Sequence, residues 1–193
     1  MVRMKVGVLA LQGGVREHVQ ALMDCGAETV MVKGRQDLAG LDGLVIPGGE
    51  STTVGKLLVR FGLWDPIRQR AAAGMGIFGT CTGMILLAGA LPGDHGPRLG
   101  LIECEVVRNA FGRQIDSFET ELAIPVLGER PFPAVFIRAP YLVNPGRKVE
   151  VLATIDEKIV LARQGKFLAC AFHPELTADL RLHRYFLDLL RLC

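Results

Sequence analysis

Cys81 stands in Ile77-Phe78-Gly79-Thr80-Cys81-Thr82-Gly83-Met84, with a glycine two positions to either side. An apolar strand-like run ends at this cysteine and an apolar helix-like run begins there. That spacing is the mark of a nucleophile elbow, a turn so tight that only residues lacking a Cβ fit beside it. The unpaired N–H groups of a helix start favour negative charge, as a thiolate requires. Far downstream, His173-Pro174-Glu175 offers an imidazole with a carboxylate two residues later. Thiol, base and orienting acid are the parts of a Cys-His-Glu hydrolase of amide bonds. An isolated cysteine in an apolar stretch is ordinarily a small buried hydrophobe, and Cys25, Cys104, Cys170 and Cys193 are read that way. Cys81 departs from it because the glycines and the strand-to-helix switch coincide there.

A second feature is Pro47-Gly48-Gly49-Glu50-Ser51, directly after an apolar run. Consecutive glycines let backbone N–H groups point into a cavity. Gly48 and Gly49, with the N–H of Thr82 after the cysteine, would make an oxyanion hole. An ordinary Gly-Gly turn is the competing reading. At the third feature, the residue before proline is driven to extended geometry, where residues i and i+2 project to one side. Glu175 then reaches one ring nitrogen of His173 while the other faces Cys81, which fixes the tautomer. His18 and His183 fall on helix faces and His95 in a loop, where solvated or structural roles are expected.

The elements that must position these groups alternate in the first half. Residues 4–11, 29–32, 44–47 and 76–80 read as buried strands. Helices are expected over 15–25, stopped by Gly26, over 51–61 with Ser51 as cap, and over 65–73. The βαβα rhythm implies a parallel sheet with helices on both faces. Beyond residue 91 comes a Pro/Gly loop (92–97), then β-like segments at 101–107, 120–126, 134–137, 149–155, 159–163 and 167–172. A last helix is capped by Thr177. In an open α/β sheet ligands bind beyond the carboxyl ends of the strands, where all three chemical features lie.

The 193 residues fit one domain over 1–193, and half of them are hydrophobic, ample for a core. A net charge of +2 with no basic run argues against nucleic acid or a membrane surface as main partner. No run has the length of a bilayer span, nor does the start read as a signal peptide. Five cysteines in no metal-binding spacing fit reduced thiols in a cytoplasm.

Six segments stand in order: Gly7-Val8-Leu9-Ala10-Leu11-Gln12-Gly13, Pro47-Gly48-Gly49-Glu50-Ser51-Thr52-Thr53, Phe78-Gly79-Thr80-Cys81-Thr82-Gly83, Arg108-Asn109-Ala110-Phe111-Gly112-Arg113-Gln114, Phe136-Ile137-Arg138-Ala139-Pro140 and Phe172-His173-Pro174-Glu175-Leu176. Together they resemble the glutaminase subunits of pyridoxal 5′-phosphate synthase, within the class I (triad-type) glutamine amidotransferases, over essentially the whole chain. One position departs: Thr82 stands where that family commonly has alanine.

The resemblance implies a flavodoxin-like three-layer α/β sandwich that hydrolyses L-glutamine with Cys81, His173 and Glu175. It further implies that Gly49, Glu50, Ser51, Arg108, Ile137 and Arg138 surround the glutamine. No metal or organic cofactor is expected, and ammonia would pass to a separate synthase subunit. Two rivals stay open. A γ-glutamyl peptidase on this fold would need a more open cleft. A non-enzymatic binding module or redox sensor would reuse Cys81 without needing His173 and Glu175.

Overall fold

Residues 3–90, 98–108 and 117–192 are described by the computed structural model. The loop at 92–97 with His95, most of the 108–114 motif, and Cys193 lie outside them.

Short apolar runs build the parallel half of the main sheet: β1 (Lys5–Leu9), β2 (Glu28–Val32), β3 (Gly43–Ile46) and β4 (Gly76–Thr80). Between them lie α1 (Val15–Asp24), α2 (Ser51–Arg60) and α3 (Trp64–Ala72). After the cysteine come α4 (Thr82–Leu87), β5 (Ala88–Ala90), β6 (Ile102–Val107), β7 (Ser117–Leu122), β8 (Phe132–Ile137) and β9 (Tyr141–Val143). The chain closes with β10 (Glu150–Ile155), β11 (Lys158–Gln164), β12 (Phe167–Cys170) and α5 (Arg181–Leu190). Among the described residues the main sheet runs β2-β1-β3-β4-β12-β11-β9-β6-β5, with β10 also on β11. From β2 to β12 every pairing is parallel. At β11 the sheet turns antiparallel as far as β6, beside which β5 lies parallel. A separate hairpin pairs β7 with β8.

Strand β4 shows how the layers are sorted, because its side chains alternate between two faces. Phe78 packs against Phe186 and His183 of α5, and Thr80 meets His18 of α1. A Cβ on Gly79 would instead strike the backbone of Gly83 and the side chain of Leu87, both in α4. Helices α1 and α5 therefore cover one face and α4 the other, giving the expected three layers. No helix among the described residues is long and apolar enough to cross a membrane.

Three local expectations are corrected. Ser51 does not cap α2: the cap is Glu50, whose carboxylate accepts from the N–H groups of Thr52 (2.9 Å) and Thr53 (2.7 Å). The Thr53 hydroxyl, which also donates to Oε2, together with these backbone bonds holds the Glu50 pKa at about 2. Thr177 does not cap the last helix, which starts four residues later at Arg181. Its hydroxyl instead donates to the Pro174 carbonyl, while Asp179 receives the Arg181 N–H at 3.0 Å. The strand expected over 120–126 ends at Leu122, and Pro125 opens a 3₁₀ turn, as a residue without an N–H must leave the ladder.

Candidate active site

Four adjacent parallel strands, β1, β3, β4 and β12, end at one edge of the sheet. Gln12 follows β1, Gly48 and Gly49 follow β3, Cys81 follows β4 and His173 follows β12. The strand order doubles back between β2-β1 and β3-β4, the kind of switch point where open α/β sheets hold ligands. A pocket of about 520 Å³ opens there, lined among others by Cys81, Thr82, His173, Arg108 and Arg138. That is small-molecule size.

Cys81 sits between β4 and α4 with φ 50° and ψ −99°, a conformation that L-residues rarely adopt. The elbow is possible because Gly79 and Gly83 touch where a Cβ would collide. Gly83 also approaches the Ile46 carbonyl, closing the helix onto β3. The Cys81 N–H donates to the Cys170 carbonyl at 2.7 Å, tying the elbow to β12. Cys81 is 8 % exposed and lines the pocket, while Cys25, read as buried from sequence, is the more accessible cysteine among the described residues.

His173 and Glu175 meet as expected, by a different route. Pro174–Leu176 is a 3₁₀ turn, not an extended segment. The turn curls the carboxylate back, so that Nδ1 of His173 lies 2.8 Å from Glu175 Oε1. The His173 N–H donates to the Val135 carbonyl of β8 at 2.8 Å. On the other side the ring packs over Gly48, where any Cβ would fall 2.5 Å from its Cε1 and 3.4 Å from the Cys81 Cβ. Burial opposes the imidazolium, yet hydrogen bonds with Cys81 and Glu175 and the charges of both raise the His173 pKa to about 10. Burial likewise opposes charge on Glu175, but its hydrogen bond with His173 and the nearby imidazoles lower its pKa on balance.

A pH prediction follows from these signs. His173 is cationic through neutral pH, and the stability this brings is complete below its ordinary 6.5 and fades as pH rises towards 10. NMR of the ring Cε1–H should show titration near pH 10, displaced downward in Glu175→Gln, where one negative neighbour is gone. A midpoint near 6.5 in the unaltered protein would contradict the ion-paired arrangement.

The remaining expected residues also gather here. Gly49, Glu50, Ser51, Arg108, Ile137 and Arg138 all line the pocket. The Glu50 carboxylate is spent on capping α2. Arg138 directly follows β8 and has φ 43°, a second left-handed residue on the rim. Thr82 turns its hydroxyl to the Gly49 carbonyl at 2.5 Å, while the Glu50 N–H donates to Gln12 Oε1 at 2.8 Å. Both ends of the Gly49–Glu50 peptide are thus clamped by side chains. The Gly48 carbonyl is turned against Gly13, where a Cβ would overlap it.

Sequence reasoning passed over Gln12, although it lies within a quoted segment. It left His18 and His183 between solvated and structural roles, and both are completely enclosed. The signal was present: Val15, His18, Val19 and Leu22 recur at helical spacing, as do His183, Phe186, Leu187 and Leu190. A histidine within such a stripe points inward.

Residues 8–191 match the SNO glutamine amidotransferase family. A relative from Pelotomaculum thermopropionicum, pyridoxal 5′-phosphate synthase subunit PdxT, is 62 % identical over 185 residues, covering 96 % of this chain and 94 % of that one. Its counterpart from Moorella thermoacetica is 57 % identical, covering 97 % and 100 %. Among solved structures, a glutamine amidotransferase superposes with a TM-score of 0.91 at 52 % identity, covering 97 % of this chain and 99 % of that one. Matched along nearly its whole length in sequence and in three dimensions, the chain belongs to the SNO glutamine amidotransferase family.

Proposed function

We propose that this chain, as a single amidotransferase domain in the cytoplasm, hydrolyses L-glutamine to L-glutamate and ammonia. The ammonia goes to the synthase subunit of a pyridoxal 5′-phosphate synthase. The observation that carries the reading is the contiguous Cys81–His173–Glu175 line at the pocket, in which His173 is held cationic between the Cys81 sulfur and a carboxylate. The names of the relatives support the partner and product.

The Cys81 thiolate attacks the side-chain amide carbon of glutamine. The oxyanion that forms is held by the N–H of Thr82 and by N–H groups of the Gly48-Gly49 segment. His173 gives its proton to the departing nitrogen, so ammonia leaves and a glutamyl thioester remains. Neutral His173 then takes a proton from water as that water attacks the thioester, and the thiolate departs to restore the ion pair. Glu175 orients His173 and supports its charge throughout. Gly49, Glu50, Ser51, Arg108, Ile137 and Arg138 surround the amino acid, with guanidinium groups complementing its α-carboxylate.

The lining of the pocket favours a free amino acid over a γ-glutamyl peptide, since Arg108 and Arg138 meet the thiol within one small space. A redox sensor would leave the His173–Glu175 pair without a task.

Free ammonia released without an acceptor wastes glutamine, so the isolated chain should be nearly silent. With the Gly49–Glu50 peptide clamped, the Gly48–Gly49 peptide is the hinge, and a glycine peptide rotates at little steric cost. Docking of the synthase subunit would favour the state that presents an N–H to the oxyanion. Gain of one such donor is worth about a hundredfold to a thousandfold in rate. Steady-state ammonia release should climb by that factor as synthase subunit is added, with glutamine bound more tightly in the complex because coupling is reciprocal. Full activity in the isolated chain, indifferent to any synthase subunit, would sink both the latch and the two-subunit assignment.

A further inference from the structure

Behind the Cys81–His173–Glu175 line lies a second polar group that the mechanism above does not use. His18 of α1 and His183 of α5 are both fully buried, and His18 Nδ1 lies 3.0 Å from His183 Nε2. The other ring nitrogen of His18, Nε2, lies 3.2 Å from the Thr80 hydroxyl and 3.4 Å from Glu175 Oε2. Phe78 stands edge-on to both rings, with centroids 6.2 and 5.8 Å away. Two imidazoles walled in by aromatic carbon are costly to bury unless their polar atoms are matched.

The tautomers can be worked out from the partners. Glu175 Oε1 is engaged by His173. Oε2 is buried and makes no hydrogen bond to any described group, so the approach of His18 Nε2 at 3.4 Å is a charge–dipole contact, and His183 Nδ1 is buried without a hydrogen bond as well. If His18 carried its proton on Nδ1, its Nε2 lone pair would face the Glu175 carboxylate. His183 would then have to accept on Nε2, leaving a buried N–H on Nδ1 with nothing to receive it. The opposite assignment removes both faults. His183 donates from Nε2 to His18 Nδ1, and His18 presents Nε2–H to the space between Thr80 and Glu175. Only an unprotonated Nδ1 on His183 is then left over, cheaper to bury than an orphaned donor. Both rings are neutral, since burial lowers the pKa of His18 and takes His183 to about 3.

We propose that His18 is a positioning residue for glutamine hydrolysis: its Nε2–H, fixed in tautomer by His183, holds the free oxygen of Glu175 so that the other oxygen stays aligned on His173. The chain of contacts runs from α5 through α1 to the carboxylate and then to the imidazole that moves the protons. A small misalignment of a reacting group costs up to about a hundredfold in rate. This inference rests on the glutaminase reading, and its tests separate the two.

Glutamine hydrolysis should be assayed with the synthase subunit present. His18→Leu should lower kcat about tenfold to a hundredfold with KM within about twofold, because Glu175 touches no substrate. His18→Gln, whose amide can place an N–H near the former Nε2, should recover most of the loss. In a Glu175→Gln background His18→Leu should cost little more, since its effect passes through Glu175. A merely structural histidine would lose stability without this rescue or this epistasis. Unchanged kcat in His18→Leu, or additive losses in the double variant, would overturn the proposal while leaving the glutaminase reading intact. No ammonia from the unaltered complex would instead remove the glutaminase reading. The unaltered chain supplies a test that needs no variant to fold. Long-range ¹⁵N–¹H correlation spectra should show His18 and His183 both neutral and protonated on Nε2, and an Nδ1–H signal from His18 would overturn the proposal by itself.

Discussion

Cys81→Ala is expected to abolish glutamine hydrolysis, a fall of about a millionfold by analogy with loss of a triad nucleophile, while the fold persists. Alanine removes only the sulfur, which meets His173 and makes a long contact to the Ile137 carbonyl at 3.9 Å. The elbow itself is held by backbone, through the Cys81 N–H on Cys170 and the approach of Gly79 to Gly83. A glutamine-analogue electrophile should label Cys81 selectively even though Cys25 is more exposed. Burial raises the pKa of Cys25, pushes that of Cys104 up to about 12 and lifts that of Cys170 well above the ordinary thiol range, so these thiols stay protonated. Mass spectrometry of the labelled peptides and circular dichroism of the variant would check both halves. Ammonia release by Cys81→Ala above background would refute covalent catalysis at this residue.

His173→Asn should come close to the same loss, because His173 carries every proton in both half-reactions. Glu175→Gln should be less damaging by about tenfold to a hundredfold, as for the orienting acid of other triads. The glutamine side chain can still meet Nδ1 at the place of Oε1, but its neutral amide gives up the charge that supports the imidazolium. Kinetics placing Glu175→Gln below His173→Asn would reverse the assignment of roles.

The legible parts of this molecule were those governed by local pattern. Strand β4 was bounded correctly at Gly76 and Thr80 because an apolar run ends at a glycine-flanked cysteine. The catalytic candidates were found because each follows a strand, and strand ends are readable. Helix starts were less so. Glu50 took the cap from Ser51, and Asp179 set the start of α5 in place of Thr177, since which nearby oxygen wins depends on loop geometry that no periodicity encodes. The turn at Pro174–Leu176 brought Glu175 to His173 by a route that spacing alone did not specify. The buried histidines show the limit most plainly. Helical spacing placed His18 and His183 on inward stripes, but that the two stripes meet behind Glu175 is a fact of tertiary packing across 165 residues of chain.

Cys81 and Arg138, the two left-handed residues on the pocket rim, carry one further consequence. Each such conformation costs about 1–3 kcal/mol, which the surrounding packing must absorb. Selection for thermal endurance alone would replace both by glycine, or relax the loops that hold them. Asn144, Asp156 and Glu157 share the conformation outside the pocket, but at Cys81 and Arg138 it falls beside the reacting groups, where durability yields to reactivity. Attempts to harden this protein for use at high temperature should therefore leave the pocket rim alone and work on the far end of the sheet.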